Sequence, residues 1–145
     1  MPTRSARTTW TGGLQDGTGT VELVSSGIAT YEVNFPRRAA EEAGGVTSPE
    51  ELIAAAHSAC FAMQFSAMLG EAGGSGQSLD VGAQVTLGPD PAGGFRITGS
   101  KLTVRGSAEG VTAERFAEVA EQAKASCPVS KALAGTSISL EVIPG

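Results

Sequence analysis

The chain has 145 residues, the length of one ordinary domain and enough to bury roughly 70% of the surface its unfolded form exposes without disulfide or metal staples. Ten basic against 15 acidic side chains leave a net charge of −5, which argues against a nucleic acid or an anionic membrane as partner, since both are bound through surplus basic charge. Apolar residues make up 41%, no apolar run comes near the roughly 18 residues of a spanning segment, and the first residues do not resemble a signal peptide, so the chain reads as cytoplasmic and soluble. In that compartment structural disulfides are rare, so the two cysteines are either buried thiols or a redox pair.

Residues 7–13 (RTTWTGG) carry strand-forming side chains, Asp16-Gly17 is a turn dipeptide, and residues 18–25 (TGTVELVS) repeat the β-branched enrichment. Ser26-Gly27 turns the chain again and residues 28–35 alternate as a third strand, giving a meander over about residues 5–35. Pro36 ends it. Residues 36–47, with Arg37-Arg38, Glu41-Glu42 and Gly44-Gly45, read as a loop.

Ser48-Pro49-Glu50-Glu51 is a helix start, with Ser at the N-cap, Pro at the first helical position, acids in the first turn and a Glu placed for a capping box. The helix runs over about residues 48–70 and is apolar on nearly every side, interrupted mainly by His57, Ser58, Gln64 and Ser66. A helix of that kind is buried all round. One sheet and one further helix leave a flank of it open, so a second subunit is expected as cover.

A glycine-rich exit leads to an alternating hairpin over residues 78–106, turning at 89–93. Thr112 caps a second helix, to residue 126, in which Phe116, Val119, Ala120 and Ala123 form a one-sided stripe. A short helix over 128–134 and a closing strand over 136–143 complete a single domain. Strands and helices come in runs, so the class is α+β.

The cysteines lie in different settings. Cys60, between Ala59 and Phe61 in the apolar helix, is desolvated; its thiol is inert unless a cation is brought to it. The plain alternative is a small buried hydrophobe. Cys127 precedes Pro128, which pushes it out of the helical region into an N-cap, where unpaired N–H groups favour a thiolate. A kink cap without chemistry is its plain alternative. His57-x-x-Cys60 invites a metal reading, but one histidine and two cysteines fall short of four zinc ligands, so His57 reads as a satisfied core histidine. Glu50 lies about 15 Å from Cys60 along a straight helix and cannot touch it. A joint role needs a bridging side chain or a neighbouring subunit, and Arg37 and Arg38 are candidates, because guanidinium forks onto carboxylate with donors to spare.

The run Thr47-Ser48-Pro49-Glu50-Glu51-Leu52-Ile53-Ala54-Ala55-Ala56-His57-Ser58-Ala59-Cys60-Phe61, then Met68-Leu69-Gly70-Glu71-Ala72-Gly73 and Ala123-Lys124-Ala125-Ser126-Cys127-Pro128-Val129-Ser130, closely resembles the OsmC branch of the OsmC/Ohr hydroperoxide reductases. The resemblance implies an OsmC-like α+β fold, with antiparallel sheets around a long buried central helix, in an intertwined homodimer with active sites at the interface. It implies that Cys60 is the peroxidatic and Cys127 the resolving cysteine, and that Glu50 orients a catalytic arginine from the loop after the third strand. Both Arg37 and Arg38 stand there; counting from Phe35 favours Arg38. The absence of an arginine between Arg7 and Arg37, and His57 where Ohr proteins carry an aromatic residue, set the chain with OsmC rather than Ohr.

The implied reaction is reduction of an organic hydroperoxide to an alcohol, and less well of hydrogen peroxide. It passes through a Cys60 sulfenic acid and a Cys60–Cys127 disulfide that a lipoylated protein or small dithiol reduces, with no cofactor and no metal. The rivals are a dimeric small-ligand-binding module of the same fold and a metal protein using His57, Cys60 and Cys127.

Overall fold

Three antiparallel strands, β1 (Arg7–Thr11), β2 (Thr18–Glu22) and β3 (Thr30–Val33), open the computed structural model, which describes residues 1–145. β2 is central, and Gly19 faces Trp10 on one side and Val33 on the other. A Cβ at Gly19 would fall 2.8 Å from the Trp10 ring, so the glycine lets the indole lie across the sheet. The contacts of the chain gather into two units, Met1–Leu52 and Ile53–Gly145.

The first unit departs from expectation after β3. Pro36, read as the end of a strand before a loop, sits instead in the first turn of a short helix, α1 (Phe35–Ala39). Asn34 is its cap: extended at φ −151 and ψ 158, its side-chain oxygen accepts the Arg37 N–H at 2.8 Å. A proline at the start of a helix loses no hydrogen bond, so a side-chain cap turns a strand terminator into a helix initiator. The unit ends with the first turn of α2 (Pro49–Glu71), where Ser48 Oγ accepts the Glu51 N–H at 3.2 Å. The reciprocal arm of the expected capping box is not seen, because the Glu51 carboxylate accepts the Thr47 hydroxyl instead.

In the second unit β4 (Ser75–Pro89), β5 (Phe95–Glu109) and β6 (Ser137–Pro144) form one sheet in the order β4-β5-β6. The hairpin is longer than the expected 78–106. β4 and β5 are antiparallel, but β6 runs parallel to β5, which corrects the expectation of antiparallel sheets. The reason is the connection: α3 (Ala113–Ser126) and α4 (Pro128–Ala132) come between the two strands in the chain and carry it back to the end of the sheet at which β5 begins. Register places Val81, Val104 and Val142 in one row, Ala83, Leu102 and Leu140 in the next, and Val85, Ser100 and Ile138 in a third. Strand period two puts all nine on the same face.

α3 begins at Thr112, whose hydroxyl accepts the Arg115 N–H at 3.1 Å, and buries Phe116, Val119, Ala120 and Ala123. α2 contributes Phe61, Phe65 and Leu69 to the same core, together with Leu102 and Val104 of β5. Phe65 meets Phe61 at 5.5 Å and the edge of Phe116 at 4.8 Å between ring centres. α2 ends where Gly73 adopts φ 90 and Gly74 N–H bonds back to the Leu69 carbonyl at 2.8 Å.

α2 is not buried all round within the chain, contrary to expectation. His57, Phe61, Phe65 and Leu69 are fully buried, whereas Ala56, Ala59, Met63 and Ala67 form a second apolar stripe that is exposed, Met63 by 73%. The expectation that no apolar run comes near the length of a spanning segment also needs correction, since α2 is long and apolar enough to cross a membrane by length and composition. Isolated polar residues such as Ser58 and Gln64 break an apolar run without lowering the average of an alanine-rich helix. The core helix of a soluble protein meets the same criterion.

Candidate active site

The residues singled out by sequence fall into two pairs. In the first unit Arg38 forks onto Glu50: Nε donates to Oε1 at 3.0 Å and Nη2 to Oε2 at 2.9 Å. Asn34 sets this up by capping α1, and Ser48 starts the helix that carries Glu50. Glu50 is 7% exposed, so its partner offsets the cost of burying a carboxylate. Donation to Glu50 is the main cause that raises the Arg38 pKa above its ordinary value. The fork engages two of the five guanidinium N–H groups, leaving three for another acceptor. Arg37 does not join this pair; its guanidinium lies against Gly44. Of the two arginines left open by the sequence, Arg38 is the one that Glu50 holds.

In the second unit the free thiols of Cys60 and Cys127 come together. Cys60 rides on α2, half-buried. Cys127 is fully buried and serves as both the C-cap of α3 and the N-cap of α4. Its φ of −59 and ψ of 125 are what a residue before proline adopts, and its N–H bonds back to the Ala123 carbonyl at 2.9 Å. Gln64, one turn beyond Cys60, donates to Ser126 Oγ at 3.1 Å and so ties the end of α3 to α2.

The two sulfurs are pushed in opposite directions. Burial pushes Cys60 up, as do its hydrogen bond to Cys127 and repulsion by a Cys127 thiolate; only the Val129 N–H opposes. Burial pushes Cys127 up as well, but the Ser130 N–H, the Cys60 thiol, the Ser130 hydroxyl and the Val129 N–H outweigh it, and the net direction is down. Cys127 Sγ makes no full capping bond to α4, so these donors act as a nest of partial positive charge around the sulfur. Within one chain the surroundings of Cys127 therefore favour its thiolate, and those of Cys60 favour its thiol.

His57 is a core histidine with both ring nitrogens occupied: Nδ1 lies 2.7 Å from Ser100 Oγ and Nε2 2.8 Å from Ser130 Oγ. Neither nitrogen is free for a metal. Sequence reading anticipated the satisfied histidine but not its partners, which lie 43 and 73 residues away. Burial holds the imidazole below its ordinary pKa of 6.5. The unfolded chain therefore takes up this proton at higher pH than the folded one, so stability is full above about 6.5 and declines as pH falls below it. Tm of the wild type should drop more steeply on acidification below that value than Tm of His57→Gln. Parallel curves would show that His57 does not contribute.

A family model described as OsmC-like protein matches residues 42–142. The chain is 43% identical over 124 residues to Peroxiredoxin OsmC of Escherichia coli (strain K12), covering 86% of this chain and 85% of that protein. The organic hydroperoxide resistance protein OhrB of Bacillus subtilis superposes with a TM-score of 0.72 at 28% identity, over 96% of this chain and 98% of its own. An organic hydroperoxide resistance protein from Elizabethkingia anophelis does so with a TM-score of 0.76 at 29% identity, over 100% and 98%. The mixed α+β fold with its long central helix is the fold of these proteins, and the chain belongs to the OsmC-like family.

Proposed function

We propose that this chain is a cytoplasmic, thiol-dependent peroxidase that reduces organic hydroperoxides as an intertwined homodimer, with Cys60 peroxidatic, Cys127 resolving, and Arg38 and Glu50 supplying the cation. The observation that carries this reading is the meeting of the two free thiols in one core, where their surroundings push them in opposite directions. The exposed stripe of Ala56, Ala59, Met63 and Ala67 supports a second copy as the cover of α2.

The chemistry follows from what the surroundings of Cys60 favour. Alone, they favour its thiol. A guanidinium brought to Cys60 in the dimer, aimed by Glu50, stabilises a thiolate on Cys60 while Cys127 holds a proton. That thiolate attacks the terminal peroxide oxygen: the Sγ–O bond forms, the O–O bond breaks, and the departing alkoxide takes the proton of Cys127 to become the alcohol. Cys127, now a thiolate, attacks Cys60 Sγ; the S–S bond forms and hydroxide leaves. An external dithiol, lipoylated or small, returns two electrons and two protons. The apolar side chains on α2 around Cys60 favour an organic substrate over hydrogen peroxide.

A lipoamide-coupled assay with cumene hydroperoxide and with hydrogen peroxide tests the reading. Turnover of both, with kcat/KM higher for the organic peroxide, is expected. No turnover with any dithiol, while the protein remains folded, would return the chain to the reading of a ligand-binding module.

A further inference from the structure

Three hydrogen-bonding groups that the peroxidase cycle above does not use form a chain that ends beside Cys127. Ser100 stands on β5, in the row otherwise formed by Val85 and Ile138, and is 2% exposed. His57 reaches it from α2 at 2.7 Å and reaches Ser130 on α4 at 2.8 Å. Ser130 stands in the first turn of α4, whose N-cap is Cys127, and its hydroxyl is one of the groups that hold the Cys127 thiol down. All are buried, and no buried side-chain polar atom is without a partner.

A serine hydroxyl has one proton, so Ser130 can donate either to His57 or to the sulfur, and the neighbouring bonds decide which. When Ser130 donates to the sulfur, His57 Nε2–H must donate to Ser130 Oγ, Nδ1 must be bare, and Ser100 must donate to Nδ1. Every member of that chain is then satisfied with a neutral imidazole, and burial keeps His57 neutral. The groups acting on Cys127 are Cys60 from α2 and Ser130 and Val129 from α4, and burial alone acts on His57; no carboxylate, ammonium or guanidinium is among them.

We propose that Ser100, His57 and Ser130 form a fixed hydrogen-bond relay that points the Ser130 hydroxyl at Cys127 and holds its thiolate ready for the resolving attack. They are positioning residues: none touches the peroxide. The relay rests on the peroxidase reading for its place in the cycle. Its step is the one in which Cys127 Sγ⁻ attacks the Cys60 sulfenic sulfur, the Sγ–Sγ bond forms, the Sγ–OH bond breaks and hydroxide departs to take a solvent proton. A hydrogen bond to an ionised partner is stronger than a neutral one, so the relay favours the Cys127 thiolate over its thiol at the resolving step.

The test begins in a Cys60→Ser background, where Cys127 is the remaining thiol, and follows thiolate ultraviolet absorbance against pH without any peroxide. Ser130→Ala should shift the titration midpoint about one pH unit upward, a roughly tenfold smaller thiolate fraction at neutral pH. Ser130→Thr, which restores the hydroxyl, should return it. His57→Gln, whose amide can still donate to Ser130, should sit closer to the background than His57→Leu. If His57→Leu fails to fold, the serine pair decides. With Cys60 present, Ser130→Ala should form the sulfenic acid at the wild-type rate but let it accumulate, captured by dimedone. A midpoint unmoved by Ser130→Ala, or dimedone capture no greater than in wild type, would overturn the relay. The titration needs no peroxide, so it can fail while the peroxidase reading stands, and the reverse.

Discussion

Cys60→Ser should lower peroxide turnover by at least about three orders of magnitude, to the background of the coupled assay, because a serine hydroxyl provides no thiolate-like nucleophile at neutral pH. The fold should survive. Cys60 is half-buried at the edge of the core rather than inside its close-packed centre, and oxygen for sulfur there is a small change in volume. Cys127→Ser should behave differently. It retains a first oxidation, so one equivalent of peroxide is consumed and the sulfenic acid persists, open to dimedone or to overoxidation. Stopped-flow consumption of cumene hydroperoxide separates the two. A single fast turnover in Cys60→Ser would reverse the roles of the cysteines, the alternative to which the lowered pKa of Cys127 points.

Arg38→Met should lower the rate of Cys60 oxidation at neutral pH by about a hundredfold, the scale on which loss of one preorganised charged donor acts. Burial and the Cys127 partner both push the Cys60 thiol up, so without the guanidinium a thiolate appears only as pH rises. The deficit of Arg38→Met should therefore shrink in alkaline solution, and its kcat/KM profile should rise at higher pH than that of the wild type. Arg38→Lys should recover little, because an ammonium cannot fork onto both oxygens of Glu50. Glu50→Gln keeps the cation but loses the bidentate carboxylate, so its defect should be smaller than that of Arg38→Met. A pH profile for Arg38→Met that merely scales down, without moving, would place the cation elsewhere.

Local signals carried much of the architecture. The caps Ser48 and Thr112, the stripe from Phe116 to Ala123, and the proline after Cys127 each act through residues within one or two turns, and each is written in consecutive sequence. What failed to be legible is non-local or context-dependent. The parallel pairing of β6 with β5 depends on which end of the sheet α3 and α4 return the chain to, and no strand pattern encodes that. α1 escaped because Pro36 after a strand reads as a stop until Asn34 is seen to cap the next turn. The apolar character of α2 was plain, but composition could not say that one stripe packs inside the chain while the stripe through Met63 stays open.

At the site, the chemistry of each residue was readable and its partner was not. The desolvation of Cys60 and the N-cap setting of Cys127 followed from neighbours in sequence. Their meeting came from family resemblance, since 67 positions separate them. The choice of Arg38 over Arg37 was open until Glu50 was seen in the fork. His57 illustrates the limit most clearly: a lone polar residue on an apolar helix face announces that something satisfies it, and only the fold says that Ser100 and Ser130 do.

The most direct measurement is the intact mass and free-thiol count of the wild-type protein before and after one equivalent of cumene hydroperoxide. The account predicts loss of both thiols together with a mass lower by two hydrogens per chain, reversed by dithiol and absent in Cys60→Ser. Survival of both thiols, or a gain of one oxygen with Cys127 still free, would contradict a two-cysteine peroxidase cycle.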